Sequence, residues 1–79
     1  MNVKMHETAV VEKGTKLGEG TSIWHNAHVR EGVVMGKNCN AGHCAYIGKD
    51  VKVGDNVKIG NKVSVFQGSE IGSNCFIGP

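Results

Sequence analysis

An apolar residue recurs at every sixth position of this chain without a break, from Met5 through Val11, Leu17, Ile23, Val29, Met35, Ala41, Ile47, Val53, Ile59, Val65 and Ile71 to Ile77. Two residues before each of these slots stands a second small or β-branched side chain, as at Ala9, Thr21, Val33, Val51 and Cys75. Positions two apart share one face of a strand, so each hexad turns a pair of side chains inward. Gly follows the slot in eight hexads, among them Gly36, Gly42, Gly48 and Gly54. Three residues after the slot the chain favours Gly14, Gly20, Asn26, Gly32, Asn38, Asp50, Asn56, Gly68 and Asn74. These residue types tolerate positive φ, and their spacing predicts a turn every six residues.

A two-residue inward pair followed by a corner cannot fold back on its neighbour as a hairpin, because the inward face would have no layer to cover it. It can coil. Three hexads per turn place residues 18 apart in a parallel ladder about 4.8 Å apart, and about four coils then stand roughly 20 Å tall. The expectation is an all-β triangular solenoid filled along its axis by the aliphatic slots. With 79 residues there is no room for a second core, so a single domain over 1–79 is predicted. Solenoid ends need covering, and the pattern is still running at Ile77-Gly78-Pro79. With no C-terminal cap in the sequence, a fragment is expected, or an open end covered by another copy.

The 18-residue register sorts the outward side chains. One stack holds Lys16, Val34, Lys52 and Glu70, a second Ser22, Asn40, Lys58 and Phe76, and a third Val10, His28, Tyr46 and Ser64. Glu12, Arg30, Gly48 and Phe66 flank the third. At the corner leading into it His25 and His43 should stack, with Asn61 above and Glu7 below, while Trp24 is expected over His6 in the adjacent column. All four His and three of the four aromatic residues therefore fall on one corner and face. Such a concentration marks an oligomer interface, or a cleft formed where this face meets a second subunit. Two stacked imidazoles could be drawn onto one zinc ion, but a catalytic zinc wants three protein ligands and the third would have to come from a neighbouring copy. No metal is expected. Cys39 and Cys75 should point inward two coils apart, beyond disulfide reach, and Cys44 outward at a corner.

Net charge is +2, too small for the dense basic patch of a nucleic-acid binder. No apolar run approaches membrane-spanning length, and Met1-Asn2-Val3-Lys4-Met5-His6-Glu7 lacks the apolar core of a signal peptide. With three unpaired thiols, the expectation is a soluble, cytoplasmic protein that meets neither nucleic acid nor membrane.

The hexads Ile47-Gly48-Lys49-Asp50-Val51-Lys52 and Val53-Gly54-Asp55-Asn56-Val57-Lys58 resemble the hexapeptide repeat of left-handed β-helix proteins, and the resemblance implies the left hand for the solenoid. Two further segments, Ala9-Val10-Val11-Glu12 through Gly18-Glu19-Gly20-Thr21-Ser22-Ile23-Trp24-His25-Asn26-Ala27-His28-Val29 and Val57-Lys58-Ile59-Gly60-Asn61-Lys62-Val63-Ser64-Val65-Phe66, with the closing Cys75-Phe76-Ile77-Gly78-Pro79, are similar to the sugar N-acetyltransferases of that superfamily. The resemblance implies an acetyl-CoA-dependent N-acetyltransferase acting on the amino group of a nucleotide-linked amino sugar, with acetyl-CoA as co-substrate and a homotrimer whose sites lie between subunits. In such chemistry a neutral amine attacks a thioester, which calls for a proton acceptor and for contacts that hold both substrates. His25 or His28 would take the proton. Arg30 would hold a carboxylate or phosphate, with Trp24, Asn26, His43, Tyr46, Asn61 and Phe66 as further substrate contacts. Ser22-Ile23-Trp24-x-Asn26-Ala27-x-x-Arg30 is also similar to the opening motif of gamma-class carbonic anhydrases, although the position five residues after His43, where that class places a zinc ligand, holds Gly48. A bare β-helix module that only self-associates is the third, non-enzymatic reading.

Overall fold

The computed structural model describes residues 3–78. Met1 and Asn2, read above as part of a leaderless N-terminus, and Pro79, read as the end of the closing motif, lie outside the described residues. Strands of two residues, numbered β1 to β13 in chain order, wind into three parallel sheets. The first sheet stacks β1 (Lys4–Met5), β4 (Ser22–Ile23), β7 (Asn40–Ala41), β10 (Lys58–Ile59) and β13 (Phe76–Ile77). The second stacks β2 (Val10–Val11), β5 (His28–Val29), β8 (Tyr46–Ile47) and β11 (Ser64–Val65). The third stacks β3 (Lys16–Leu17), β6 (Val34–Met35), β9 (Lys52–Val53) and β12 (Glu70–Ile71).

Every ladder pairs residues 18 apart, as Lys4 with Ser22, His28 with Tyr46 and Lys52 with Glu70. The expected three stacks are therefore present as written. Strand amides donate upward to the next coil, for example Val10 N–H to Ala27 C=O at 2.9 Å and Tyr46 N–H to Val63 C=O at 2.8 Å. Corner amides donate downward, as Cys44 N–H to His25 C=O at 2.9 Å and Lys62 N–H to His43 C=O at 2.8 Å. Apart from turn bonds such as Ala27 N–H to Trp24 C=O at 3.2 Å, these coils satisfy their backbone groups through neighbouring coils, which makes each coil's order depend on the next.

The downward bond explains the corner conformation. All nine residues expected at positive φ adopt it, and so do Cys44 at 60° and Lys62 at 64°, two side chains with no intrinsic preference for that region. The coil below, not the residue type, sets the geometry there. At the centre of the prism Ile23, Val29, Met35, Ala41, Ile47, Val53, Ile59 and Val65 form one buried cluster with the inward partners Ala27, Val33, Val51 and Val57. Toward the N-terminal end the filling thins, with Val11 and Leu17 only partly buried and Met5 54% exposed.

Among the described residues one polar side chain, Thr21, is fully buried, and it is satisfied. Thr21 donates its hydroxyl to Gly36 C=O at 2.8 Å and accepts Cys39 N–H at 3.2 Å. One coil higher in the same column, Cys39 repeats the contact from its thiol to Gly54 C=O at 3.0 Å. Outside the core, a second ladder runs up the corners. Asp55, Asn61 and Ser73 each accept the backbone N–H of the residue 18 positions before them, Lys37, His43 and Asp55. Those side chains rest on a glycine of the lower coil. A Cβ on Gly42 would lie 2.5 Å from Asn61 Oδ1 and 2.9 Å from the Asn61 amide, so the corner closes only over glycine.

Candidate functional site

The second sheet carries the residues with the most chemistry. Its outward positions present Val10, His28, Tyr46 and Ser64, and the chain leaves it through Glu12, Arg30, Gly48 and Phe66. Because Glu12 and Arg30 sit in one column on adjacent coils, the carboxylate receives Arg30 Nε at 3.0 Å. Its other oxygen meets His28 Nε2 at 2.6 Å, and Glu31 N–H donates to the first at 3.1 Å. Gly48 stands above Arg30 in that column and offers no side chain, and Arg30 Nη1 donates to Tyr46 Oη at 2.9 Å. The Tyr46 ring meets His28 edge-on, centroids 5.7 Å apart.

The electrostatics follow from these contacts. Hydrogen bonds from His28 and then Arg30 hold the Glu12 carboxyl below its ordinary value. Tyr46 and Glu12 raise the guanidinium of Arg30 further above its already high value. A carboxylate only accepts, so the proton on His28 lies on Nε2, facing Glu12, and Nδ1 carries the lone pair. Among the described residues no group bonds that second nitrogen. An imidazole oriented by a carboxylate, with its other nitrogen free, is the arrangement of a general base.

The corner between the first and second sheets holds a separate group. The rings of His6 and His25 lie 3.6 Å apart at 30°, and His25 and His43 lie 4.9 Å apart at 75°. Desolvation, followed by the two neighbouring imidazoles, pushes His25 below its ordinary value. Trp24 does not stack on His6 as expected from the column register. Its indole N–H reaches along the first sheet to Asn40 Oδ1 at 2.5 Å, its ring stands edge-on to His43 at 6.3 Å, and His6 turns to His25 instead. An indole donor needs an acceptor, and Asn40 supplies the one within reach.

The remaining expected site residues divide by role. His25 and His43 belong to the corner ladder, and His28, Arg30 and Tyr46 to the carboxylate network. Asn26 forms the turn, with φ of 56° and its backbone N–H donated to Thr8 Oγ1 at 2.9 Å. Asn61 is spent on the corner, its oxygen taking His43 N–H at 2.8 Å. Phe66 stands apart, 78% exposed at the far edge of the second sheet. Sequence reasoning missed Glu12 as the hub of the network. Its signal was its place 18 residues before Arg30, in the same column.

A hollow of about 460 Å³, lined by Val11, Glu12, Lys13 and Glu31, adjoins the network at its carboxylate. Another, about 370 Å³, lies on the first sheet among Asn40, Gly42, Lys58 and Phe76. A third, about 390 Å³, is the mouth of the prism at Val3, Met5, Val11, Thr15 and Leu17. The His28 side chain itself is 39% exposed. Among the described residues no three His, Cys, Asp or Glu side chains are placed to hold a metal ion, and no helix is long and apolar enough to cross a membrane.

A three-sided parallel solenoid of six-residue repeats with a carboxylate-oriented imidazole on one face defines a repeat-protein class in which chemistry sits on the outside of a rigid prism. The model of the bacterial transferase hexapeptide family, described as six repeats, matches residues 14–49 and again residues 32–67. This chain belongs to that family, and its solenoid is the family's left-handed parallel β-helix. None of the curated proteins matches it. Among solved structures it is similar to perosamine N-acetyltransferase from Caulobacter crescentus, crystallised with CoA and GDP-perosamine, at 14% identity and a TM-score of 0.37 over 99% of this chain and 54% of that one. The chain thus spans about half the length of that protein.

Proposed function

We propose that this chain is the catalytic scaffold of an acyl-CoA-dependent transferase, acetylating the amino group of a nucleotide-linked amino sugar with His28 as the proton acceptor. The observation that carries the reading is the 2.6 Å contact of His28 Nε2 with Glu12, which leaves Nδ1 as the basic nitrogen on the exposed face. Family membership supports the reaction class, and the residue-level resemblance of the Ile23-Trp24-His25 segment supports the amino-sugar acceptor.

In this reading the amine lone pair forms the new C–N bond at the thioester carbonyl. His28 Nδ1 takes the proton that the nitrogen sheds. The C–S bond then breaks, and the proton passes to the departing CoA thiolate, leaving amide and thiol. Glu12 holds the imidazole in the required tautomer, while Arg30 and Tyr46 fix Glu12 and the ring edge. Arg30 therefore serves orientation through two of its donors rather than standing free for a substrate anion. The open face calls for a wall, and a second copy packed on it, as in a trimer, would provide one. Three unpaired thiols suit a reducing, cytoplasmic setting.

The test is release of free CoA thiol from acetyl-CoA in the presence of nucleotide-linked amino sugars, with sedimentation equilibrium to fix the assembly. His28→Gln should lower kcat by roughly 10²–10⁴-fold. Full rate in that variant, or no binding of acetyl-CoA by the wild type, would sink the reading. The self-associating module gains support from the exposed side chains of Val10 and Phe66 on the second sheet, and a stable trimer that binds neither substrate would establish it.

A further inference from the structure

The corner ladder of His6, His25 and His43 is not used by the reaction proposed above, and its close ring contacts oppose two adjacent positive charges. The His6 and His25 rings lie nearly face to face at 3.6 Å, a contact that two imidazolium ions could not keep. The first coil is tied in by the same residues. Thr8 N–H donates to His6 Nδ1 at 3.1 Å, the Thr8 hydroxyl shares that nitrogen at 2.9 Å, and its oxygen accepts Asn26 N–H from the second coil at 2.9 Å. The Thr8 N–H bond requires a lone pair on Nδ1, so a proton on that atom removes it, whereas the hydroxyl can turn to accept from an N–H there.

The first coil is otherwise held by its backbone ladder to the second and by the bonds of Glu12 to His28, Arg30 and Glu31, and its apolar filling is thin. Met5 is 54% exposed, and Val11 and Leu17 are only partly buried. Among the described residues no carboxylate forms an ion pair with the ladder. The charged and titratable groups nearest it in the register are Glu7, which stands one coil below His25 in its column, Cys44 beside His43, and Lys62 in the turn above. Among the described residues, Glu12 is the one carboxylate in an ion pair with a histidine, and that histidine is His28.

We propose that the His6–His25–His43 ladder is an acid-sensitive latch that seats the first coil on the second, closed when the imidazoles are neutral and released when they take protons. Release would carry Glu12 away from His28, so the same event that opens the coil disarms the network. This consequence rests on the function proposed above, whereas the opening itself does not. The depressed His25 value agrees in sign. An open corner binds more protons than a closed one, so the closed form is fully favoured above about 6.5, the ordinary imidazole value, and loses ground as pH falls below it. The Glu12–His28 pair is not the cause, because the depressed Glu12 carboxyl stays ionised at mild acidity.

Amide hydrogen exchange of the intact chain, resolved by NMR and corrected for intrinsic rates, tests the latch at pH 7.5 and 5.5. Protection of Val10, Glu12 and Lys16 should fall roughly tenfold for each unit below 6.5 and each proton bound on opening, while Tyr46, Gly48 and Lys52 keep theirs. His25→Gln and His6→Gln, which cannot take the charge, should hold first-coil protection at pH 5.5 close to its value at 7.5. Equal protection of the wild-type first coil at both pH values overturns the proposal. So does an acid loss of the same size in whichever of the two variants folds. A fall in CoA release at pH 5.5 without coil opening would leave the function standing and remove the latch.

Discussion

Glu12 and His28 lie 16 residues apart in the chain and on adjacent coils, and their side chains meet at 2.6 Å because one leaves the second sheet where the other stands upon it. Neither residue is buried in the core, so the pair is held by its own network and by the pitch of the solenoid. Replacing Glu12 with Gln offers His28 an amide in place of a fixed carboxylate. On the proposed function kcat should fall by roughly 10–100-fold with little change in fold, the scale seen when an orienting partner of a histidine is lost. Steady-state kinetics beside a thermal melt of the same variant check this.

The same pair leaves a mark on acid stability. Because the Glu12 carboxyl is depressed in the folded chain, the unfolded chain binds the extra proton, and stability rises with pH across that window. The contribution is fully present above the ordinary value of 4.5 and fades as pH drops below it. Urea melts from pH 6 to 3 should show a loss in the wild type that is smaller in Glu12→Gln. Parallel curves would contradict the assignment.

Two corners are held against residue preference. Cys44 and Lys62 sit at φ of 60° and 64°, where an ordinary side chain costs about 1–2 kcal/mol. Lys62→Gly and Cys44→Asn should therefore raise stability by about 1 kcal/mol each, read as an increase in Tm. Asn56→Ala, at φ of 58°, should lower it by a similar amount.

Close approach between coils separates glycines that share a place in the repeat. Gly42→Ala sets a Cβ 2.5 Å from Asn61 Oδ1 and 2.9 Å from backbone on both Gly60 and Asn61, and should destabilise by about 1–3 kcal/mol as the corner is forced apart. Gly72→Ala meets nothing within 4 Å and should be nearly neutral. Paired chemical denaturation of the two variants decides it.

Thr21 and Cys39 repeat one buried contact, which predicts an unusual order of tolerance. Thr21→Val strands Gly36 C=O and the Cys39 amide and should cost about 1–3 kcal/mol. Thr21→Cys restores a donor like the one Cys39 already gives to Gly54, and should cost less than Thr21→Val.

The strands and their register were legible because the repeat fixes both at once. An inward slot every six residues admits one winding, and once it is wound Lys52 must face Glu70. Cys44 and Lys62 show where that legibility stops. Their corners are imposed by the carbonyls of His25 and His43 below, so nothing in the residue itself announces them. Trp24 marks a second boundary, since the register positions its Cα and leaves the indole free to seek Asn40 rather than His6. Glu12 was overlooked for a related reason. A carboxylate on a surface column draws no notice until the bonds from His28, Arg30 and Glu31 are seen to converge on it.

The eighteen-residue pitch also governs how such a chain can change length. Gain or loss of six residues would rotate everything beyond it by one face, sending the position after Glu12 away from Arg30 and breaking the histidine corner into separate columns. Eighteen residues, by contrast, add or remove a whole storey and leave every vertical neighbour of the same kind in place. Lineages of this protein should therefore differ in height by complete storeys while the chemistry on the outer wall keeps its address.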